Sequence, residues 1–215
     1  MLDELESLKA KSVPVVSVGT SCSHKTDSVQ VDLLPGAMAV MEHLLGAGFR
    51  RIAHATYVRS QDASEGRRDG YLRAMRKAGL KPEFIYYPLT DQQRPITRKL
   101  IRDYVGEHGR PEAIFCHSDD AALGIYRGLC DIGARVPEDV ALVGCDGIED
   151  TEYLGCPLTT LVQPVAAMCA TAWQFLQRRL DKPNGPLQRA VLHPDLAIRD
   201  SSKRPVTESN ARLLG

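Results

Sequence analysis

Residues 112–147 read EAIFCHSDDAALGIYRGLCDIGARVPEDVALVGCDG. Four apolar residues, Ala113–Cys116, make a short strand candidate. Ser118 follows as a helix cap. Asp119 and Asp120 fall in the first turn, where carboxylates favour the helix dipole. Ala122, Ile125, Leu129 and Ile132 then recur at helical spacing. A second strand candidate runs over Val140–Val143, and Gly144 closes it. A strand, a helix and a strand in direct succession are the repeating unit of a parallel sheet.

The same rhythm extends in both directions. Val13–Val18, Arg51–Ala55, Phe84–Tyr87 and Leu158–Val162 are short apolar runs and read as strands. Ala37, Met41, Leu44 and Leu45 share a helical face after Asp32. Further helices are expected over Ser64–Ala78, Ile96–Val105 and Pro164–Leu180, the last with proline at its favoured first position. Ala190–Ile198 is a last extended segment, and the tail from Ser201 is expected to be polar and loose. Strands alternating with helices predict an α/β fold, with parallel sheets flanked by helices.

Composition narrows the function. The chain has 215 residues, with 27 basic and 27 acidic side chains and a formal net charge of zero. That balance gives no electrostatic case for nucleic-acid or membrane binding by this chain itself. No apolar run approaches the ~20 residues of a membrane span. The amphipathic start MLDELESLKAKSVPVV lacks the features of a secretory signal. The six cysteines include no C-x-x-C pair. They are expected to be reduced core residues of a cytoplasmic protein.

In parallel sheets, ligands bind beyond the carboxyl ends of the strands. Those positions offer Ser118, Asp119, Asp146 and Gln163, with Arg67 near a helix start. No phosphate-binding glycine loop and no nucleophile elbow is present. The acids Asp119, Asp120, Asp146, Glu149 and Asp150 do not have the spacing of a calcium loop. His117 beside Asp119 does not make a metal site. His43 and His54 read as packing or surface residues. Asp146 is open to two readings, a turn residue bonding its own backbone or a carboxylate accepting two bonds from a ligand. Arg67 is similarly open between a solvated basic face and a bidentate clamp. Trp173 lies off the stripe of its helix, at a core edge or a subunit contact.

The blocks SDDAALG, the G-x-x-V-P-E-D-V run at Gly133–Val140, VGCDG and PLTTLVQP occur in order with HLLGAGFRRIA, GRRDGYLRAM and LAIRDSS. Together they resemble the effector-binding domain of LacI/GalR transcription regulators, over residues 5 to 202. The resemblance implies a two-lobed, periplasmic-binding-protein-like fold with an incomplete N-terminal-side lobe. It implies one lobe from residues 1–55 and 163–189, a second from 56–162 and 190–202, and a flexible tail over 203–215. The chain would cross between lobes three times, with a small ligand, commonly a sugar, in the cleft. The family's ligand arginine falls on Arg67, its ligand aspartate on Asp146, its glutamine on Gln163, and its asparagine on Ser118, beside Asp119.

The sequence also departs from the family pattern. Gly19 stands where an acid is common. No aromatic residue stands near Leu89, where one often lines the cleft, and Ser118 is shorter than asparagine. No helix-turn-helix is found, so operator DNA is expected to be reached only through a head domain outside this chain. The expected partners are therefore a small effector, such as a sugar, and a second copy of the chain. No cofactor, metal or catalysis is expected. The alternative within the same fold is a free-standing substrate-binding protein for sugar uptake.

Overall fold

A computed structural model describes residues 13–57 and 66–204. They form nine strands and five helices in two compact units. One unit contains residues up to Leu33 together with Gln163–Pro194. The other contains Leu34–Val162 and residues from Asp195 onward.

The first unit is a three-stranded parallel sheet. Its strands β1 (Val16–Gly19), β2 (Asp27–Val31) and β8 (Arg189–Leu192) lie in the order β1-β2-β8. The final helix, α5 (Val165–Asp181), packs on β1 and β2. Asp27 lies at the start of β2 with its side chain 1% exposed. The Arg179 guanidinium of α5 grips both its oxygens at 2.6 and 2.8 Å. The Gln188 backbone N–H adds a third bond at 2.7 Å. One carboxylate thus joins β2 to the helix and to the approach of β8. Burial alone would raise its pKa, but the Arg179 and Gln188 bonds outweigh burial and hold it below the ordinary value.

The second unit has a six-stranded sheet in the order β4-β3-β5-β6-β7-β9. The strands are β3 (Ile52–Tyr57), β4 (Glu83–Tyr87), β5 (Ala113–Cys116), β6 (Ala141–Asp146), β7 (Thr159–Val162) and β9 (Asp195–Ala197). All pair in parallel except β7 with β9. Helices α3 (Gln93–His108) and α4 (Asp119–Asp131) cover one face with Ile101, Ala122, Ile125 and Leu129. These pack on Ala53, Ile85, Ile114 and Leu142 of the strands. Helices α1 (Leu34–Gly46) and α2 (Gly66–Lys77) pack on each other. The ring of Tyr71, in α2, stacks on His54 of β3 at 5.2 Å. Burying both faces explains why β5 reads as a continuous apolar run rather than an alternating one.

Helix α4 approaches α3 closely because Gly124 and Gly128 lack side chains. A Cβ on Gly128 would stand 2.3 Å from the Ile101 Cγ2 and 2.5 Å from the Arg98 carbonyl oxygen. On Gly124 it would stand 2.0 Å from the Thr97 Oγ1. No comparable constraint acts on Gly106 of α3, where an added Cβ would have no neighbouring atom within 4 Å.

Several expectations need correction. The expected lobe boundary at residue 55 moves back to Leu33, because β3 pairs with β4 and β5 of the second unit. The strand β2 is additional to those expected. The segment Ala190–Ile198 divides into β8 and β9, one in each unit. Gly144 does not end its strand, since β6 continues to Asp146. The tail is not loose at Ser201 and Ser202, both 0% exposed. Ser201 donates to the Leu142 carbonyl at 2.6 Å and accepts from Thr159 N–H at 2.8 Å. The tail beyond 204, the chain start and the expected helix start at Ser64 lie outside the described residues. All six cysteines are free, as expected, but Cys130 and Cys169 are exposed rather than core residues. Trp173 is 59% exposed, beyond a core edge.

Three variants test this packing. Gly128→Ala is expected to lower stability by about 1–3 kcal/mol through overpacking. Gly106→Ala is expected to raise it by roughly 0.5–1 kcal/mol, since helix propensity alone acts there. Urea denaturation of both variants reads the difference. Removing Arg179 as Arg179→Met should cost about 3–5 kcal/mol by leaving the Asp27 carboxylate buried without its cation. The folded pKa of Asp27 is depressed. Its contribution is therefore present above the unfolded value near 3.8 and is lost as pH falls through the folded one. Repeating the denaturation at neutral pH and near pH 3 should show the gap between wild type and variant shrinking in acid.

Candidate functional site

The carboxyl ends of β3, β5 and β6, with the start of α2, bring four of the five expected residues into one region of the second unit. Ser118 caps α4: its Oγ accepts from the Ala121 N–H at 3.2 Å and donates to the Gln93 Oε1 at 2.9 Å. Arg67, in the first turn of α2, is 8% exposed. It donates to the His117 carbonyl at 2.7 Å, and the same nitrogen lies 3.9 Å from the Cys145 Sγ. Asp146 ends β6, half-buried, with one oxygen 3.4 Å from the Asp119 N–H.

Asp119 plays a different part from the one expected. It is 0% exposed. One oxygen accepts from the Thr160 hydroxyl of β7 at 2.6 Å. The other accepts from the Gly147 and Ile148 N–H groups at 2.7 and 2.9 Å. Its oxygens are thus engaged inside the unit, and the expectation of ligand contact is corrected to a framing role. Burial nonetheless pushes its pKa up, against the Thr160, Ile148 and Gly147 bonds that pull it down.

This frame fixes Asp146. Its φ of +138° is the one positive value at a non-glycine position among the described residues, and Gly147 follows at +79°. A side chain at Gly144 would meet the Asp119 Oδ1 at 2.0 Å, so glycine is required where that carboxylate crosses β6. Backbone strain of this kind costs about 1–3 kcal/mol and persists only when surrounding bonds impose it.

Three neighbours lie outside the five expected ligand residues. The Tyr57 ring, at the end of β3, meets the His117 ring edge-on at 4.5 Å. Burial first, then the Arg67 and His54 charges, depress the His117 pKa to about 2, so its imidazole is neutral at physiological pH. Tyr87 ends β4 and is 1% exposed. The signal available is position, since each lies on or beside the last residue of a parallel strand. Leu89, where the resembled family often has an aromatic, is 64% exposed. Burial pushes the Cys145 thiol up to about 12, against Arg67, and keeps it protonated and unreactive. Among the described residues no cluster of three or more metal-ligating side chains occurs.

Gln163 belongs to the first unit, half-buried, with its carbonyl accepting from the Val165 N–H at 2.8 Å. No helix of the described residues is long and apolar enough to cross a membrane.

A family model described as a periplasmic binding protein-like domain matches residues 41–202. The chain belongs to this family. Relatives within it are transcription regulators of the LacI type. The ribose operon repressor of Haemophilus influenzae is 32% identical over 168 residues, which is 77% of this chain and 50% of the repressor. The structure of the transcriptional regulator CelR in complex with cellobiose matches with a TM-score of 0.80 at 28% identity, covering 92% of this chain and 61% of that one. A LacI family regulator from Enterococcus faecium with bound ribose matches with a TM-score of 0.82. Its 23% identity, over 94% of this chain and 75% of that one, shows the shared fold. The chain spans about half to three-fifths of the length of the curated relatives it matches. These relatives are repressors rather than enzymes, as expected for the domain.

Asp146→Gly should relieve the strained backbone and raise stability by about 1 kcal/mol, whereas Asp146→Ala should not. Urea midpoints of the two variants beside wild type measure this, and equal midpoints for glycine and alanine would count against strain at Asp146.

Proposed function

We propose that the chain is the ligand-sensing domain of a LacI-type transcription regulator, and that it binds a small effector, a sugar or sugar derivative. Arg67, Asp146 and Ser118 are its contacts in the second unit. The observation carrying this reading is the convergence of a buried guanidinium, a strained half-buried carboxylate and a capping hydroxyl at the carboxyl ends of parallel strands. A guanidinium donates to hydroxyl oxygens and a carboxylate accepts from hydroxyl protons, the complement of a polyol. Neutral His117 and protonated Cys145 add no charge that would favour an ionic ligand. Relatives carrying ribose and cellobiose support a sugar as effector.

The whole regulator would act in the cytoplasm as a homodimer. It would meet operator DNA through a head domain outside this chain, whose net charge of zero suits a sensor better than a DNA-binding surface. The effector would shift the population of conformers and so the affinity for DNA.

Thermal unfolding with ribose, cellobiose, lactose and related sugars tests the reading. At a ligand concentration 100 times Kd the stabilisation is about 2.7 kcal/mol, a rise of a few degrees. Arg67→Ala and Asp146→Ala should each abolish the rise. No shift with any sugar, or an equal shift in both variants, would sink the assignment.

A further inference from the structure

Helix α5 carries apolar side chains on two sides. Met168 and Phe175 are buried where the helix packs on β1 and β2. A second stripe runs along its outside. Ala166, Cys169, Trp173, Gln177 and Leu180 recur at helical spacing, all exposed, and only Gln177 is polar. Trp173 is 59% and Leu180 57% exposed. The stripe continues past the helix, since Leu180 shares a groove of about 420 Å³ with Val13, Val15 and Leu187 of the same unit. Val13 leads into β1, whose outer edge has no strand partner among the described residues. A continuous apolar strip on the surface marks an interaction site, and tryptophan is enriched at the centres of such sites.

We propose that this strip is a docking face for a second copy of the chain, with the two α5 helices packed antiparallel about a two-fold axis at Trp173. This rests on the homodimer proposed above and gives it a surface. The stripe is self-complementary when antiparallel, because its small residues, Ala166 and Cys169, lie in the first half of the helix and Leu180 lies in the last turn. Centred on Trp173, the pairing sets Ala166 against Leu180 of the second copy and Cys169 against Gln177, and it brings the two indole rings together. A parallel pairing would set Leu180 on Leu180 and leave the small residues facing one another across a gap. Antiparallel helices also align their dipoles favourably. Each Asp181, at the carboxyl-terminal end, then lies toward the amino-terminal turn of the other helix, which carries no acid of its own. The face is long but narrow. The 17 residues of α5 span about 25 Å, and one helix face covers less than the ~800 Å² per partner of a standard interface. The dimer is therefore expected to exchange with monomer rather than to be permanent.

Trp173 is the single tryptophan of the chain, so its fluorescence reports on this face alone. Over about a hundredfold range of protein concentration, sedimentation should show monomer passing to dimer while the emission maximum moves to the blue. Trp173→Glu and Ala166→Arg should each weaken dimerisation by about tenfold or more. Both side chains are exposed, so neither variant should lower the melting point of the dilute protein. In Ala166→Arg the tryptophan should emit as a solvent-exposed one at every concentration. Neither variant touches Arg67, Asp146 or Ser118, so both should keep any rise in melting point that a sugar causes in wild type. A chain that stays monomeric throughout would overturn the proposal, whether its tryptophan emits as exposed or as covered by another segment. Dimers that form equally well in both variants, or with no change in emission, would overturn this face and leave the homodimer and the sensing role standing.

Discussion

The geometry of the candidate site depends on the buried carboxylate of Asp119. A carboxylate without solvent is costly unless its lone pairs are filled, and this one accepts three hydrogen bonds from β7 and from the turn after β6. Each bond fixes something different. The Thr160 hydroxyl ties α4 to β7. The Gly147 and Ile148 amides hold the turn that leaves β6. With both ends held, the residue between them, Asp146, has no freedom to relax its φ, and Ser118 is held one residue before the same anchor. Glycine at 144 is the steric condition for the arrangement, because the carboxylate passes where a side chain would stand.

Each unit uses one buried aspartate as a tie, with opposite electrostatic outcomes. Asp27 is met by a guanidinium, and the charge attraction defeats burial, so the acid stays strong. Asp119 is met by a hydroxyl and two amides, all neutral, and burial wins, so the acid is weakened. The difference follows from the donors, since an opposite charge in contact favours the ionised carboxylate more strongly than neutral dipoles do. An acid held by a cation resists protonation, whereas one held by dipoles gives way sooner. The scaffold of the second unit is therefore the more sensitive of the two to acid at its tie.

Much of this is legible in the sequence. Residues 112–147 contain two strands, a capped helix and the glycine-rich end of β6 within a short span, and their local patterns suffice to place Ser118 and Asp146. Arg67 stands out only by resemblance, since its basic neighbours mask it. What escapes is set by residues far apart in the chain. β2 has a buried aspartate as its first residue, and only Arg179, 152 positions later, makes that tolerable. Gly144 reads as a strand end because the side chain that excludes a Cβ there comes from Asp119. Tyr57 and Tyr87 look like core aromatics, and by burial Tyr87 is one. The boundary at Leu33 cannot be read from composition, because strand pairing and not sequence character assigns β3 to the second unit.

The segment after β8 closes the second unit late. β9 pairs antiparallel with β7, Arg199 donates to the Leu158 carbonyl, and Ser202 bonds both Thr159 and His43. On the ribosome, residues 34–162 emerge long before these partners do. Until residue 202 has left the exit tunnel, β7 is an open edge and the Leu142 carbonyl lacks the Ser201 hydroxyl that satisfies it. Translation therefore passes through an interval in which most of the sheet exists but one side of it is unprotected, and chaperones have the most to do in that interval.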